Sequence, residues 1–339
     1  MSTPSPSLFP VANPGEISSD ATASRPLVAV TGATGFVGRH VVDALSDAGW
    51  RVRLLLRREP GGSAWRRSRP EVVAGGLSDD AALGRLVEGA DAVVHLAGLI
   101  KAARRDDFFD VNCNAAGRLA RTVESVAPSA HFVLVSSLAA REPGLSDYGA
   151  SKRAGEAAVL DVLGNRTTVL RPPAIYGPHD RETLLFFQIA RWRRIPLIGP
   201  PEARAAMMHV GDVAALIAAT AAEQPQGRVL AMADARPDGY GWREIMETAT
   251  RAVGNPSPAF FQAPPGLLRA VALVGDVARL AGSASMLNSQ KLRELRHVDW
   301  AVARDDVAAP RGWSPRYGLD QGFADAVAWY RRAGWLPAA

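Results

Sequence analysis

The chain predicts an α/β fold: a doubly wound parallel sheet followed by a smaller, mainly helical C-terminal lobe. Three observations carry this. Short apolar runs bounded by turn residues alternate, from Pro26 onward, with segments of helical spacing. Most of those runs are continuous rather than alternating, which is the pattern of strands buried on both faces. A glycine-rich loop follows the first run directly and opens a helix.

Taken in order, strands are expected at Leu27–Val30, Val52–Leu56, Val72–Ala74, Ala92–Leu96, Phe132–Val135 and Thr167–Leu170. Between them, helical spacing marks His40–Ala48, Asp80–Val87, Ala115–Val126 and Lys152–Leu163. After about Gly177 the alternation fades. Helical patterns then dominate: Leu184–Trp192, Val213–Ala222, Trp242–Val253, Leu267–Leu280 and Gly322–Arg332. Arg228–Met232 reads as a strand that returns to the sheet. The expected division is a flexible tail at 1–24, a dinucleotide-binding domain at 25–178 and a substrate-binding lobe at 179–339, with 205–235 able to rejoin the first domain.

Composition excludes several classes. With 47% hydrophobic and 22% charged residues, the 339-residue chain is not intrinsically disordered. One cysteine, Cys113, excludes a disulfide framework and a cysteine-based metal cluster within the chain. It fits a reducing compartment, and no metal site is expected. A net charge of +5 does not call for a nucleic-acid partner: the arginines are dispersed, with few interleaved aromatics. Thirteen of the first 24 residues are Ser, Thr, Pro or Gly, with no basic residue before Arg25. That is not the pattern of a secretory signal.

No uncharged apolar run reaches the roughly 18–20 residues of a membrane span. The nearest approach, Gly266–Gly282, is interrupted by Arg269, Asp276 and Arg279 on one stripe. A helix so apolar is buried, or covers an apolar substrate, or touches a membrane surface. Buried packing is the plain expectation. A cytoplasmic protein is expected, with contact at the membrane surface left open. A monomer and a homodimer are both compatible with the sequence.

In Thr31-Gly32-Ala33-Thr34-Gly35-Phe36-Val37-Gly38 three glycines fall at three-residue spacing. Gly32 allows a tight turn, Gly35 lets the backbone approach a pyrophosphate, and Gly38 lets the helix pack close to the strand. Thr34, Phe36 and Val37 complete the loop, whose helix N-terminus favours an anion. The expected ligand is a dinucleotide on a Rossmann-like sheet. A cofactor lacking the 2′-phosphate usually meets an acid about 20 residues further on. Here Arg57 stands 19 residues past Gly38. A guanidinium pairs with a phosphate, so NADPH is expected. An Arg57 that only stacks on adenine would not discriminate.

Tyr148 and Lys152 lie at i and i+4, on one helix face. With five Tyr and three Lys in the chain, about 0.04 such matches arise by chance. A nearby ammonium lowers the pKa of a phenol, so Tyr148 is the expected acid-base group and Lys152 its partner and a ribose ligand. Upstream, the strand ending at Val135 runs into Ser136-Ser137. A hydroxyl at a strand's carboxyl end reaches a substrate oxygen. Ser137 is favoured for that role, with Ser136 turned into the structure.

These residues together resemble the extended short-chain dehydrogenase/reductase superfamily, in its epimerase/dehydratase-like branch, over most of residues 26–335. The resemblance rests on the Thr31–Gly38 loop, His95-Leu96-Ala97-Gly98, Ser136-Ser137, Tyr148 with Lys152, Arg171-Pro172-Pro173-Ala174-Ile175-Tyr176-Gly177-Pro178, and His209–Ala214. It implies that Ala97 and Gly98 line the nicotinamide, that Pro172 meets its amide through backbone, and that Leu77 lies against adenine. It also implies that Asn112 is the family's helix asparagine. The chain departs from the pattern in three places. Gly76 replaces the usual acid after the third strand. Leu138-Ala139 replaces the Asp-Glu pair of dehydratases. The interval from Ser137 to Tyr148 is shorter than in typical sugar-nucleotide epimerases.

What remains resembles the reductase branch, near 3β-hydroxysteroid dehydrogenase-like and dihydroflavonol-reductase-like enzymes. It also resembles the NADPH-binding accessory subunit of respiratory complex I. His95–Lys101, Ser137–Glu142 and Lys291–Trp300 resemble bacterial ceramide reductases. The expected function is NADPH-dependent reduction of a ketone on a hydrophobic or lipid substrate, with the 3-oxo group of a ceramide or sphingoid lipid as the specific candidate. The alternatives are a sugar-nucleotide epimerase with tightly bound NAD and a non-catalytic NADPH-binding structural or assembly subunit.

Overall fold

The computed structural model describes residues 25–58, 65, 68–280 and 288–338. The expected tail at 1–24 lies outside them. The first half alternates as the apolar runs dictate: β1 (Leu27–Thr31), α1 (Phe36–Asp47), β2 (Arg51–Leu56), β3 (Glu71–Ala74), α2 (Asp80–Val87), β4 (Ala92–His95), α3 (Arg105–Phe109), a π-helical turn at Asp110–Asn114, α4 (Ala115–Val126), β5 (His131–Val135), α5 (Asp147–Leu163) and β6 (Thr167–Arg171). The second half contains β7 (Ala174–Tyr176), α6 (Leu184–Ala190), β8 (Arg194–Leu197), β9 (Arg204–Ala205), β10 (Met207–His209), α7 (Val210–Ala221), β11 (Arg228–Ala231), β12 (Tyr240–Gly241), α8 (Trp242–Val253), β13 (Ala259–Gln262), α9 (Pro265–Leu280), α10 (Ser289–Arg296), β14 (Asp299–Trp300) and α11 (Leu319–Arg332).

Seven strands form one parallel sheet in the order β11-β6-β5-β4-β1-β2-β3. Successive strand residues face opposite sides, and both sides are apolar, so each strand feeds two cores. Val28 and Val30 of β1 meet Val41 and Leu45 of α1 and Leu216 and Ile217 of α7 on one face. Ala29, between them, belongs to the opposite core with Leu83 of α2, Leu119 of α4 and Val159 of α5. Each such Leu or Val side chain contributes about 1.5–3 kcal/mol on full burial. In register, Thr31 stands beside His95, His95 beside Leu134, and Val135 beside Leu170. The carboxyl ends therefore make one row, where an open α/β sheet presents its ligand groups.

Several local expectations need adjustment. α1 begins at Phe36, four residues before the periodic stretch, because the glycine loop turns straight into it. α5 begins at Asp147, with the Ser146 hydroxyl accepting from the Gly149 amide. That cap puts Tyr148 in the first turn. β3 is an edge strand with Glu71, Val72 and Ala74 exposed, not a strand buried on both faces. α7 and β11 pack with the main sheet, although the regular alternation has ended before them. α3, the π-helical turn and α10 carry no strong periodic signal, and the sequence reading did not expect them.

The remaining lobe has its own aromatic core, in which Tyr176, Phe187, Phe323 and Tyr330 are fully buried. Phe323 meets Tyr176 and Phe187 edge-on, with centroids 4.9 Å apart in each pair. α9 overturns the expectation of buried packing. Among its described side chains, Leu268 and Ala272 alone join a small core, with Ala263 and Leu292, while Leu267, Val271, Leu273, Val274 and Val277 are exposed. The Arg279 side chain lies outside the described residues. No helix among the described residues is long and apolar enough to cross a membrane.

Candidate active site

The glycine loop is shaped by close backbone approach. Gly32 has φ +77°, and a Cβ there would stand 2.5 Å from the Ala97 amide nitrogen. A Cβ on Gly38 would overlap the Gly32 carbonyl oxygen. Any larger residue at either position would push β1, β4 and α1 apart. Gly35 is the N-cap of α1, and no side chain caps that terminus; its first turn holds no acid. The uncapped amides and the helix dipole together favour an anion. Thr34 and Gly35 are exposed there, Phe36 and Val37 are half-buried, and Gly38 is buried.

Beside this loop, the Thr31 hydroxyl and His95 Nδ1 are 2.7 Å apart, and both residues are buried. Burial brings the His95 pKa down to about 3, helped by the charge of Lys152, so the imidazole is neutral. The pair ties the end of β1 to the end of β4. The sequence does not reveal this contact, since Thr31 and His95 stand in separate motifs 64 residues apart. Past β4, Asn112 holds the Ala97-Gly98-Leu99 turn. Its Oδ1 accepts from the Leu99 amide at 2.8 Å, and its Nδ2 donates to the Leu99 carbonyl at 2.9 Å and to Ser151 Oγ at 2.9 Å. A Cβ on Gly98 would stand 2.9 Å from Asn112 Oδ1 and 3.7 Å from Lys152 Nζ. Gly98 thus keeps a narrow approach open beside the lysine.

The two serines after β5 have different surroundings. Ser136 Oγ donates to Glu156 at 2.5 Å. The same buried carboxylate accepts from Arg171 Nε at 2.8 Å and Nη2 at 2.5 Å. Ser136 is therefore committed to a structural ion-pair network. Ser137 Oγ accepts from the Ala139 amide at 3.2 Å and stands near enough to the Tyr148 phenol to favour its ionised form. Lys152 is buried, and its Nζ donates to the Val135 carbonyl at 2.8 Å. Ser137, Tyr148, Lys152 and Gly98 thus meet at the carboxyl ends of β4 and β5.

The electrostatics differ from expectation at one point. Burial pushes the Tyr148 phenol up to about 12; the Ser137 hydroxyl opposes that rise and the Glu294 charge adds to it. Lys152 is not among the groups acting on the phenol, because its ammonium is turned to Val135 and the Gly98 turn. Desolvation brings Lys152 itself down to about 8, and Glu156 opposes the fall. Tyr148 is consequently a protonated donor at neutral pH.

Arg57 follows β2 directly and is exposed, its Cγ lying 3.8 Å from where a Cβ on Gly76 would be. Among the described residues, no hydrogen bond or ion pair engages its guanidinium. Leu77 is half-buried on the next turn and packs on the second core. Pro172 is buried, with its carbonyl accepting from the Leu138 amide at 2.8 Å. α10 supplies groups the sequence did not reveal. Glu294 accepts from the Ser146 hydroxyl, and Gln290 exchanges two hydrogen bonds with Asp147, at 2.9 and 2.7 Å. These contacts join positions more than 140 residues apart and brace the start of α5.

Residues 28–233 match the model of the NAD dependent epimerase/dehydratase family. The chain belongs to this family. It is an extended short-chain dehydrogenase/reductase and an NAD(P)-dependent oxidoreductase. It is 46% identical over 318 residues to the ceramide reductase of Caulobacter vibrioides, spanning 94% of this chain and 98% of that protein. It is 30% identical over 173 residues to the mitochondrial NADH dehydrogenase (ubiquinone) 1 alpha subcomplex subunit 9 of Dictyostelium discoideum, covering 49% and 48% of the two chains. The crystal structure of gox2253 superposes with a TM-score of 0.72 at 20% identity, covering 92% of this chain and 99% of that one, a likeness of fold.

Proposed function

We propose that this enzyme uses NADPH to reduce a ketone on a lipid-like substrate, with the 3-oxo group of a ceramide or sphingoid lipid as its specific target. The observation that carries the reaction class is the juxtaposition of Ser137 and Tyr148 beside buried Lys152 at the end of β5. The 46% identity to a ceramide reductase over nearly the whole of both chains supports the substrate class.

The residues present fit a nicotinamide dinucleotide. Gly32 and Gly38 make a cradle that any Cβ would fill, and α1 offers an uncapped N-terminus to a pyrophosphate. The phosphate loop Thr34–Val37, Leu77 at the adenine, Ala97, Gly98 and Pro172 at the nicotinamide, and Arg57 at the 2′-phosphate complete the set. When bound, the cofactor supplies the hydride. Tyr148 donates its phenolic proton to the ketone oxygen, and its raised pKa keeps that proton in place until the oxygen becomes basic. Ser137 donates to the same oxygen and polarises the carbonyl. Lys152, its ammonium held at the end of β5 by the Val135 carbonyl, would hold the ribose hydroxyls. Leu138-Ala139 supply no acid-base pair after Ser137, so elimination of water has no agent there. A single cysteine without a disulfide partner is compatible with the cytoplasmic location proposed for the reaction.

The test is NADPH consumption with a 3-oxo sphingolipid as substrate, followed by identification of the 3-hydroxy product. Stoichiometric product supports the proposal. Enzyme that retains NAD and isomerises a nucleotide sugar with no net NADPH consumption would replace it with an epimerase.

A further inference from the structure

α9 is a surface helix that faces the wrong way for a protein surrounded only by water. At 100° per residue, Leu273, Val277, Ala270, Val274, Leu267 and Val271 sweep a continuous arc of about 160°. All six are exposed, Val274 at 71% and Leu273 at 60%. The buried side of the helix is the narrow line of Leu268, Ala272 and Gly275. Contiguous apolar exposure of this kind marks an interaction surface.

The chemistry beside the arc identifies the partner. A cavity of about 440 Å³ lies between α9, α10 and Leu145, and Arg269, Arg293, Arg296 and His297 line it. No carboxylate is among its lining residues. The neighbouring acids are turned elsewhere: Asp276 accepts from the Ser289 amide and hydroxyl, and Glu294 accepts from Ser146 and Lys291. Arg293 and Arg296 donate to the Leu145 and Ile198 carbonyls, which hold the two guanidinium groups at the cavity. An outward apolar arc rimmed by cations matches an interfacial helix lying on an anionic bilayer.

We propose that α9 docks this enzyme on an anionic membrane, its apolar arc entering the headgroup boundary while Arg269, Arg293 and Arg296 meet lipid phosphates. α10, on the same cavity, also braces the first turn of α5 through Ser146 and Asp147. Docking therefore sets the membrane surface beside the helix that carries Tyr148. The inference stands on α9 and its arginines alone. Vesicle binding and ketone reduction can each fail without the other.

The experiment is flotation of the full chain with vesicles of phosphatidylcholine, and of phosphatidylcholine mixed equally with phosphatidylglycerol. Binding is expected to the mixed vesicles only. It should weaken when salt rises from about 0.1 M to about 1 M, as the Debye length falls from about 10 Å to about 3 Å. Each basic residue at such a surface contributes about fivefold, so Arg269→Glu, a change of two charges, should weaken binding about 25-fold. Val274→Glu, at an exposed position, should abolish it with an unchanged melting temperature. Absence of binding to the mixed vesicles overturns the proposal, as does unchanged binding by Val274→Glu. Thermal protection by inorganic phosphate without vesicle binding would overturn it in favour of a soluble anion. A dimer abolished by Val274→Glu, again without vesicle binding, would assign the face to a second copy of the chain.

Discussion

Arg57→Asp tests the cofactor assignment at a position where the fold has little to lose. The residue is exposed at the end of β2. A substitution there should change stability by no more than about 0.5 kcal/mol. Removing the guanidinium removes a charge-assisted hydrogen bond to the 2′-phosphate, worth about 1.5 kcal/mol at an exposed site. Arg57→Ala should then weaken NADPH about tenfold and leave NADH unchanged. The aspartate adds repulsion from a phosphate carrying nearly two charges, at about 1 kcal/mol per pair of charges 4 Å apart in water. Allowing for salt screening, the combined loss is about 3 kcal/mol, roughly a hundredfold. The carboxylate can also accept from ribose hydroxyls, as in NAD-dependent relatives of this sheet type. NADH should therefore tighten by about fivefold for one net hydrogen bond. Fluorescence titration of both cofactors against wild type, Arg57→Ala and Arg57→Asp gives the ratio directly. A preference unchanged within about threefold in Arg57→Asp would refute the phosphate contact and leave Arg57 as an adenine-stacking or surface residue.

Tyr148→Phe should lower kcat by about 10²–10⁴-fold while NADPH affinity stays within about twofold; normal turnover would assign the proton to another donor. Lys152 gives a pH signature, since its folded pKa of about 8 lies below the usual 10.5. Between those values the unfolded chain binds more protons, so folding stability should rise with pH across that window, by up to about 3 kcal/mol. The rise should vanish in Lys152→Met, and an identical slope in chemical denaturation of both proteins would discount the buried ammonium. Glu156→Ala strands the Arg171 guanidinium and the Ser136 hydroxyl, and should cost about 3–5 kcal/mol. Thermal denaturation would read that as a drop of about 5 °C, and an unchanged midpoint would show that the network is dispensable.

Much of the sheet and the outline of the site were legible in the sequence because both are written locally. The strand runs reveal themselves by apolar continuity, the phosphate loop by three glycines before a helix, and the Tyr148/Lys152 pair by one helical turn. Helix starts were less legible. α1 and α5 begin at a glycine loop and a serine cap, where apolar periodicity has not yet begun. α3, α10 and the π-helical turn are too short or too polar to show a period at all.

Sequence alone therefore determined the fold class, the order of the main strands and the shortlist of reactive side chains. Tertiary structure decided what those side chains do. The sequence favours Ser137 over Ser136 without showing what holds the other; Glu156 and Arg171, brought from α5 and β6, take up Ser136 and leave Ser137 beside Tyr148. An i, i+4 spacing puts Lys152 on the Tyr148 face, yet the Val135 carbonyl and the Asn112-held turn fix where its ammonium points. In α9 the period shows which residues share a face and is silent on which face a neighbour covers. Local spacing is a property of the chain by itself. Partnership, desolvation and exposure belong to what the fold brings near, and for this protein those are the terms that set proton affinity and surface chemistry.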